Sequence, residues 1–409
     1  MDVRKPQPAA NGNRALRRVG NGPAFGPRLR VPATVQFIGL DHAVTADRRR
    51  FIRVAHRLYR GDRLWVAPLD DEMHRVLGPA NPFFEHARMQ LWVARRDGQD
   101  IGRIAALVDE AHNRVHGERT AHFGFLECED DPAVVSALLD LAAGWAKEAG
   151  QTKLVGPMNP SINDECGLLV DGFDTPPALM MSYNPPHLPR AVAAAGFAKA
   201  KDLIAFHIDL ATAPQERLDR LAAGFRRRHP ALTVRTITKK SLAADVPKIK
   251  RIYNEAWERN WGAVPLTDGE INLLAERLAP LLVDGLVWLA EKGDEVAGFL
   301  LALPDANEIL QPLRGRLISP GLFRALPYLL GWRQPKLFRL VALGTRDRFR
   351  NRGLEAMMFA ETLRRARQAG FIGCEASWIL EDNQPVMRLL EAFSAKPYKT
   401  YRLYERAVR

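Results

Sequence analysis

The chain has 409 residues, 47% of them apolar, with a net charge of +12 and three cysteines. This length predicts two domains of ordinary size, each able to bury a core. The cysteines stand far apart with no CxxC pair, which excludes a disulfide framework or a zinc site and fits a reducing cytosol; no apolar run approaches the ~20 residues of a membrane span.

The chain begins with a basic tail, which we predict to be disordered over residues 1–34. Its first 31 residues carry seven Arg or Lys and one Asp, which is half of the net charge, among Pro, Gly, Asn and Ala. Such a composition buries too little apolar surface to fold. The charge suits an anionic membrane or RNA, and it equally suits a solvated arm. Basic residues without an apolar core also predict that this is not a signal peptide.

Two segments, 91–109 and 287–305, resemble each other at one constant offset. Trp92 aligns with Trp288 and Asp109 with Asp305, and Ala, Gly and Leu positions between them also match. Each segment has an apolar strand, a charged turn with Gly and a second apolar strand, which is the pattern of a β-hairpin. Self-similarity over this distance indicates duplication of a whole domain.

The elements around the two hairpins repeat as well. Both halves follow the order helix, β-hairpin, strand, helix, strand, helix, strand. The helix before the late strand ends at Gly150 in the first half and at Gly370 in the second. We therefore predict an α/β fold with a mixed (α+β) sheet in two tandem domains, 35–211 and 212–409, with the boundary near Ala211–Pro214.

Each half also has one insert that the other half lacks. Residues 157–183 add a polar loop to the first half, in which Asn163, Asp164 and Glu165 are candidates to recognise an amine. Residues 310–335 add Leu, Phe, Tyr and Trp among four arginines, with no acidic residue. This second composition fits a segment at a membrane interface or a helix that covers the sheet, and the sequence leaves both open.

A basic turn follows the central strand of the second half. The strand "LFRLVALGT" ends at Thr345, and a helix starts near Gly353. The turn between them holds four arginines, Arg346, Arg348, Arg350 and Arg352. A helix N-terminus presents free N–H groups to an anion, and glycine lets a phosphate approach the backbone closely. The matching turn of the first half, "ECEDDP", is acidic and unsuited to a phosphate.

With this order of elements, the chain resembles the GNAT acyltransferase family, whose turn Gln/Arg-x-x-Gly-x-Gly/Ala wraps the pyrophosphate of coenzyme A. Arg350 and Gly353 match the first two fixed positions, while Glu355 stands where a second small residue is expected. Asn383 matches an asparagine that often follows the late strand, and Leu390 stands where the family often has a tyrosine acid. Stretches such as "GPMNPSINDECGLLVDGFD" and "YNEAWERNWGAVPLTDGE" are similar to the tandem branch that includes the bacterial ceramide synthases.

The resemblance implies one acyl-CoA site, in the second domain, and no metal. The residues that it implies for acyl-CoA binding are Leu343, Gly344, Thr345, Arg350, Asn351, Arg352, Gly353 and Leu354. The first domain then looks like a copy that lost its donor site and helps to form the acceptor pocket.

Acyl transfer to an amine requires a base, because only the neutral amine attacks. No histidine follows His229, so the second domain uses another base unless the first domain lends a histidine. Glu375 on the strand "CEASW" is our candidate base, with a structural carboxylate as the alternative. Asn383 is a candidate ligand of a substrate amide or a helix cap. Tyr401 is a candidate for the missing acid or a core residue.

An aromatic stripe precedes a Pro-containing loop in the second half. Tyr253, Trp257 and Trp261 recur at helical spacing, interleaved with Asn254 and Asn260. Such a stripe is usually part of a core. In the family this region binds the acceptor, so we predict that Trp257, Asn260 and Trp261 contribute to acceptor binding.

Together these features predict an N-acyltransferase that moves a fatty acyl group from acyl-CoA to a primary amine, such as a sphingoid base in bacterial ceramide synthesis. The expected partners are these two substrates and an anionic membrane surface, without nucleic acid. The expected location is the cytoplasm or the inner face of the cytoplasmic membrane. Two alternatives stay open: an aminoacyl-tRNA-dependent transferase of similar fold, for which the phosphate turn is superfluous, and a non-catalytic scaffold that binds lipid or RNA.

Overall fold

A computed structural model describes residues 34–350 and 352–408, so nearly all of the predicted tail lies outside the described residues. The first half contains β1 (Gln36–Leu40), α1 (Thr45–Leu58), α2 (Asp70–Val76), β2 (Ala87–Arg96), β3 (Gln99–Asp109), α3 (Glu110–His116), β4 (Thr120–Cys128), α4 (Pro132–Glu148), β5 (Lys153–Gly156), β6 (Met158–Asn159), β7 (Glu165–Cys166), β8 (Leu168–Asp171), α5 (His187–Ala194) and β9 (Ala198–Asp209).

The second half contains α6 (Gln215–Arg228), β10 (Thr233–Thr236), α7 (Leu242–Trp257), α8 (Asp268–Leu278), β11 (Val287–Lys292), β12 (Glu295–Pro304), α9 (Asn307–Leu310), α10 (Leu322–Leu329), β13 (Leu337–Thr345), α11 (Leu354–Gln368), β14 (Gly373–Leu380), α12 (Gln384–Ala392) and β15 (Lys396–Ala407). Short 3-10 turns lie at Pro82–Glu85, Ala279–Leu281, Gln311–Leu313 and Asp347–Phe349. The predicted domain boundary falls in the link between β9 and α6. The first insert holds β6 to β8, and the second begins at the last residue of α9 and holds α10.

Both predicted hairpins are present, as β2–β3 and β11–β12. In the first, Asp97 and Gly98 both have positive φ (50° and 79°), which is the tight hairpin turn that Asp-Gly favours. The predicted order of elements is confirmed in both halves. The sequence reading missed β1 and β10, the short strands at the two edges of the sheet.

A single mixed sheet runs through both halves in the order β1-β2-β3-β4-β5-β15-β9-β14-β13-β12-β11-β10. The last strands of the two halves are exchanged. β15, from the end of the second half, pairs with β5 of the first half, with Tyr404 opposite Gly156. β9, from the end of the first half, pairs with β14 of the second half, with His207 opposite Glu375.

Helices cover both faces of this sheet. In the first half, α4 and α5 bury one apolar cluster around Leu138 and Phe123, and α1 and α2 bury another around Phe51. In the second half, α6, α11 and α12 cover one face around Phe359, and α7 and α8 cover the other. The face under α7 and α8 turns towards the first-half insert, and the candidate site lies there.

The parallel strands β13 and β14 separate halfway along their length. Their pairing runs from Leu337 opposite Gly373 to Leu340 opposite Ala376, and β13 then continues to Thr345 without this neighbour. On its other side, β13 stays paired with β12 up to Thr345. The edge of β13 that faces β14 is therefore open beyond Leu340.

Candidate active site

A large cavity lies between the first-half insert and the helices α7 and α8. The empty space there is roughly 1490 Å³ when the part that is open to solvent is counted. Most of its lining is apolar and comes from α7, α8, β12 and β13, with Ile162 and Met180 from the first-half insert and Trp378 from β14. The polar and charged lining side chains are Asn163, Asp164, Asn254, Glu258, Asn260 and Arg339. Such a space suits a long apolar chain that carries a few polar groups.

Two stacked aromatic rings form one wall of the cavity. Tyr253 and Trp257 stack with centroids 4.6 Å apart, and Trp257 also lies 5.8 Å from the ring of Phe299. A Cβ at Gly344 would come within 2.4 Å of the Trp257 ring, so only glycine fits there. The sequence analysis assigned Gly344 to acyl-CoA binding, and close packing against Trp257 independently requires a glycine at this position.

The predicted helical stripe is wrong at its last member, because α7 ends at Trp257 and Trp261 lies in the following loop. Trp257, Asn260 and Trp261 nevertheless all line the cavity. The helix end delivers Asn260 and Trp261 to the same space as Trp257.

The first-half insert contributes an amide and a carboxylate to the cavity. Asn163 accepts a hydrogen bond from the Tyr253 hydroxyl (2.8 Å) and donates to the Val264 carbonyl (3.3 Å), which joins the two halves. Asp164 accepts from the Ser161 hydroxyl (2.7 Å) and lies 3.6 Å from Arg277. Burial raises the pKa of Asp164 despite that arginine.

Glu165 behaves differently from its two neighbours, because it is not part of the cavity lining. Burial, and then the charge of Asp164, raises the pKa of Glu165 to about 7. The structure therefore brings Asn163 and Asp164, but not Glu165, to the cavity wall.

Glu375 lies on β14 in a buried polar group, opposite Arg339 of β13. Its carboxylate accepts hydrogen bonds from the hydroxyls of Ser377 and Tyr398. Arg339 donates from Nε to the Ser377 hydroxyl (2.9 Å) and from Nη1 to the Leu179 carbonyl (2.6 Å). Since Arg339 lines the cavity, Glu375 is linked to it through Ser377 and Arg339.

Sequence reasoning missed Arg339, Ser377 and Tyr398. One signal was present: Arg339 interrupts an otherwise apolar strand, and an arginine is rarely buried without a partner. Ser377 and Tyr398 carried no comparable signal, because a Ser on a strand and a Tyr near the C-terminus are common.

Three further titratable groups surround Glu375. Burial, reinforced by the charge of Glu375, raises the pKa of Asp305 to about 7. Burial lowers the pKa of Lys399, whose ammonium donates to the carbonyls of Thr175 (2.7 Å) and Pro176 (3.0 Å). Tyr401 is fully buried and its hydroxyl has no hydrogen-bond partner among the described residues. Burial, and then Glu375, raises the pKa of Tyr401.

A histidine of the first half reaches this group through the exchanged strand β9. His207 lies opposite Glu375 in the sheet, and its ring centroid is 5.9 Å from that of Tyr398. Asn383, in contrast, caps α12, because its side-chain oxygen accepts from the Val386 amide at 3.4 Å. Leu390 is buried in the core, so no acid stands at that family position.

The basic turn between β13 and α11 has the predicted backbone. Gly353 precedes the first residue of α11 with φ 85°, a conformation that favours glycine, and no side chain caps the helix. A Cβ at Gly353 would meet nothing closer than Phe225 at 3.9 Å, so its surroundings are open. Leu354 is buried under the turn, Thr345 ends β13 with its hydroxyl buried, and Leu343 is half-buried beside them. Asn351 lies outside the described residues.

The positive charge of this turn is smaller than the four arginines suggest. Arg346 pairs with Glu255 (2.6 Å) and Glu295 (3.0 Å), and Arg348 contacts Glu295 as well. Arg350 pairs with Asp347 (3.0 Å) and donates to the carbonyls of Thr345 and Ala256. Arg352 is exposed and has no ion pair among the described residues. The open helix end, rather than a cluster of free arginines, is therefore the main feature that suits a phosphate.

The corresponding position in the first half is filled. Asp131 caps α4, and its carboxylate accepts from the amides of Ala133 (3.1 Å) and Val134 (3.3 Å). Arg96 pairs with Asp131 and Glu129 in the same turn. A carboxylate already occupies the place where a phosphate would bind.

Comparison with known proteins gives two relatives over nearly the whole chain. A protein of Caulobacter vibrioides (strain NA1000 / CB15N) named bacterial ceramide synthase is 36% identical over 370 residues, which cover 89% of this chain and 95% of that protein. Protein YghO of Escherichia coli (strain K12) is 35% identical over 373 residues, or 88% of this chain and 93% of that protein. No protein-family model matches the chain.

Among solved structures, a tandem GNAT protein from the clavulanic acid biosynthesis pathway superimposes with a TM-score of 0.56 at 14% identity. The match covers 92% of this chain and 99% of that protein. It confirms the predicted tandem fold.

Proposed function

The chain belongs to the same family as the bacterial ceramide synthase and YghO, with the tandem GNAT fold, and from this premise we propose that it is an acyl-CoA-dependent N-acyltransferase acting on a sphingoid base. The reaction moves a fatty acyl group onto the primary amine and forms an amide, as in ceramide synthesis. The observation that carries the proposal is the long apolar cavity with a few polar groups beside the open edge of β13.

The donor fits the open side of the second half. Its phosphates suit the uncapped N-terminus of α11 after Gly353, with Arg352 exposed beside it and Arg350 and Asn351 in the same turn. The free edge of β13 at Leu343, Gly344 and Thr345 offers backbone hydrogen bonds to the rest of the donor. When bound, acyl-CoA supplies the activated acyl group as a thioester.

The acceptor fits the cavity between the halves. An apolar chain packs against Tyr253, Trp257 and Trp261, and the polar end of the base meets Asn163, Asp164 and Asn260. The amide and carboxylate give the hydrogen-bond acceptors that an ammonium and neighbouring hydroxyls require. Glu165 does not line the cavity, so we propose that it acts on the ammonium of the base only through its charge.

Glu375 is the proposed base, reached through Ser377. The amine passes a proton to the Ser377 oxygen while the Ser377 hydrogen moves to the Glu375 carboxylate, along the hydrogen bond between these side chains. Arg339 holds the Ser377 hydroxyl in place at 2.9 Å. Tyr401 is the proposed acid for the leaving thiolate, since its buried hydroxyl lies in the same group. Asn383 uses its side-chain oxygen to cap α12, so we propose that its side-chain nitrogen donates a hydrogen bond to an amide carbonyl of acyl-CoA.

The location of the reaction follows from these substrates. No helix in the described part of the chain is long and apolar enough to cross a bilayer. Acyl-CoA is water-soluble and cytoplasmic, whereas a long-chain base partitions into membranes. We therefore place the protein in the cytoplasm, peripherally at the inner face of the cytoplasmic membrane.

Incubation of the purified protein with radiolabelled acyl-CoA and sphinganine tests the proposal, with the amide product resolved by chromatography. The assay uses a series of acyl-CoA donors from short to long chains, and we expect an amide product with at least one of them. Absence of product with every donor, together with retention of tRNA on a filter, would overturn the proposal in favour of an aminoacyl-tRNA-dependent reaction.

A further inference from the structure

The second-half insert exposes an apolar face that has no cover. Of the eleven large apolar side chains that are exposed in the described residues, seven lie between residues 317 and 332. We define the insert face as Leu317, Ile318, Phe323, Leu326, Leu329, Leu330 and Trp332. Ile318 is 93% exposed, Phe323 81% and Trp332 78%. Scattered exposed apolar residues are normal, but seven within sixteen consecutive residues are typical of a binding surface.

The insert itself carries charge of one sign. Residues 310–335 contain Arg314, Arg316, Arg324 and Arg333 and no acidic residue. Arg316 lies 3.6 Å from Asp70, and Arg333 stacks over the Tyr328 ring at 5.1 Å. Arg324 is exposed on α10 beside Phe323. Basic side chains around aromatic and aliphatic ones are the composition of a segment that lies in a membrane interface.

The insert is joined to the cavity through its base. It connects the ends of β12 and β13, which both contribute to the cavity lining. Ala306, four residues before its start, is buried in a cluster with Leu303 and Leu179, and this cluster packs against Met180 and Leu282 of the cavity lining. The insert is thus attached at its start to an apolar cluster that borders the cavity.

We propose that the insert face docks the protein onto the surface of a bilayer that contains anionic phospholipids, which rests on the proposed function because the lipid substrate is drawn from that bilayer. The charge selects this occupant over two others. A second copy would bring four arginines against four arginines, and the N-terminal segment carries a charge of the same sign. Anionic headgroups instead pair with the arginines, while Phe323 and Trp332 enter the headgroup region.

Flotation of the full chain with vesicles tests this docking. We expect binding to phosphatidylglycerol-containing vesicles and little binding to pure phosphatidylcholine. The double variant Phe323→Ser/Trp332→Ser should bind at least about tenfold more weakly, and Arg324→Glu about fivefold more weakly at low salt. Leu221→Ser, at an exposed apolar position of α6 far along the chain, is the matched control and should bind as the wild type does.

Three outcomes contradict the docking proposal: no binding of the wild type to anionic vesicles, equal binding of the double variant, or a dimer in light scattering that the double variant converts to a monomer. Equal binding would mean that the basic N-terminal segment, which every variant keeps, carries the interaction. Turnover with a detergent-dispersed base should be the same in wild type and double variant. Vesicle binding without any turnover contradicts the proposed function while the docking stands, so the two failures are distinct.

Discussion

The N-termini of α4 and α11 occupy the same place in the two halves but present opposite chemistry. Before α4, Asp131 fills the helix end with a carboxylate that takes two backbone N–H groups. Before α11, Gly353 leaves the helix end uncapped, with open space around it. The difference shows that a duplicated fold keeps its geometry while the residues at a helix end change what that end presents to an anion.

The test with the largest expected effect compares two Arg–Glu pairs that stand opposite each other on neighbouring strands, Arg339 with Glu375 in the second half and Arg103 with Glu127 in the first. Glu375→Gln removes the proposed base and should lower kcat about 10³-fold. Glu127→Gln in the first half is the matched control. Burial raises the pKa of Glu127, so the neutral substitute should leave kcat close to the wild type. Equal losses of kcat in both variants would show that Glu375 has only a structural role.

A second test fills the open helix end. Gly353→Val combines a strained positive φ with a branched side chain at the N-terminus of α11, and should weaken acyl-CoA binding about 100-fold in calorimetry. Gly150→Val is the matched control. Gly150 follows α4 with a similar φ of 77° and open surroundings, so the substitution introduces the same backbone strain away from the site. Affinity that changes equally in the two variants would rule out a phosphate seat at α11.

A third test uses the repeated aspartates Asp109 and Asp305, whose pKa values move in opposite directions. Burial pushes the pKa of Asp109 up, but the hydrogen bond and charge of His86 outweigh it and leave the pKa lowered. Asp305 lacks such a partner, and its pKa is raised to about 7. Its contribution to stability is thus present below about pH 4 and lost as the pH rises through 7.

The wild type should lose stability between pH 5 and pH 8 as Asp305 ionises, and Asp305→Asn removes this loss. Over this range we therefore expect the free energy of unfolding of the variant to fall by about 2 kcal/mol less than that of the wild type, a value that allows for relaxation around a buried carboxyl. Asp109→Asn should instead lower the free energy of unfolding at every pH above about 4 and approach the wild type only in more acidic solution, because the contribution of Asp109 is lost as the pH falls through its lowered pKa. Urea unfolding of both variants from about pH 3 to pH 8 measures the difference. Parallel pH profiles would contradict the opposite pKa shifts.

The smallest test tries to reopen the first half. Asp131→Gly removes the carboxylate that caps α4 and should cost only a few tenths of a kcal/mol of unfolding free energy, because glycine is itself tolerated at a helix N-cap. We expect the acyl-CoA stoichiometry to stay at one, because Glu129 and Asp130 keep the turn acidic. Titration calorimetry gives the stoichiometry directly, and a second bound acyl-CoA would show that Asp131 alone had closed the site.

Much of this fold was accessible from local patterns, and the rest depended on contacts between distant residues. The hairpins, the helices and the role of Gly353 as a helix start follow from periodicity and turn chemistry. The strand exchange was not predictable, because β9 and β15 have the same local pattern whichever half they join. The neutralised arginines of the turn were missed for the same reason, since Glu255 and Glu295 come from other elements.

The candidate site divides in a similar way. Trp257, Asn260 and Trp261 were predicted to bind the acceptor from the family resemblance, and Asn163, Asp164 and Glu165 from their place in the first-half insert. All of these except Glu165 line the cavity. The network of Arg339, Ser377 and Tyr398 around Glu375 required the sheet to be assembled first. The functional roles of these residues stay predictions until the variants above are measured.

The exchanged strands affect how the chain folds during synthesis and what a deletion of one half would do to the other. The first half needs β15, which is synthesised after every other strand described above, beside its own β5. At roughly 5–20 residues per second, its sheet stays incomplete for tens of seconds after β5 has been synthesised. Deletion of the first half would also take β9 from the second half and leave β14 with an unpaired edge.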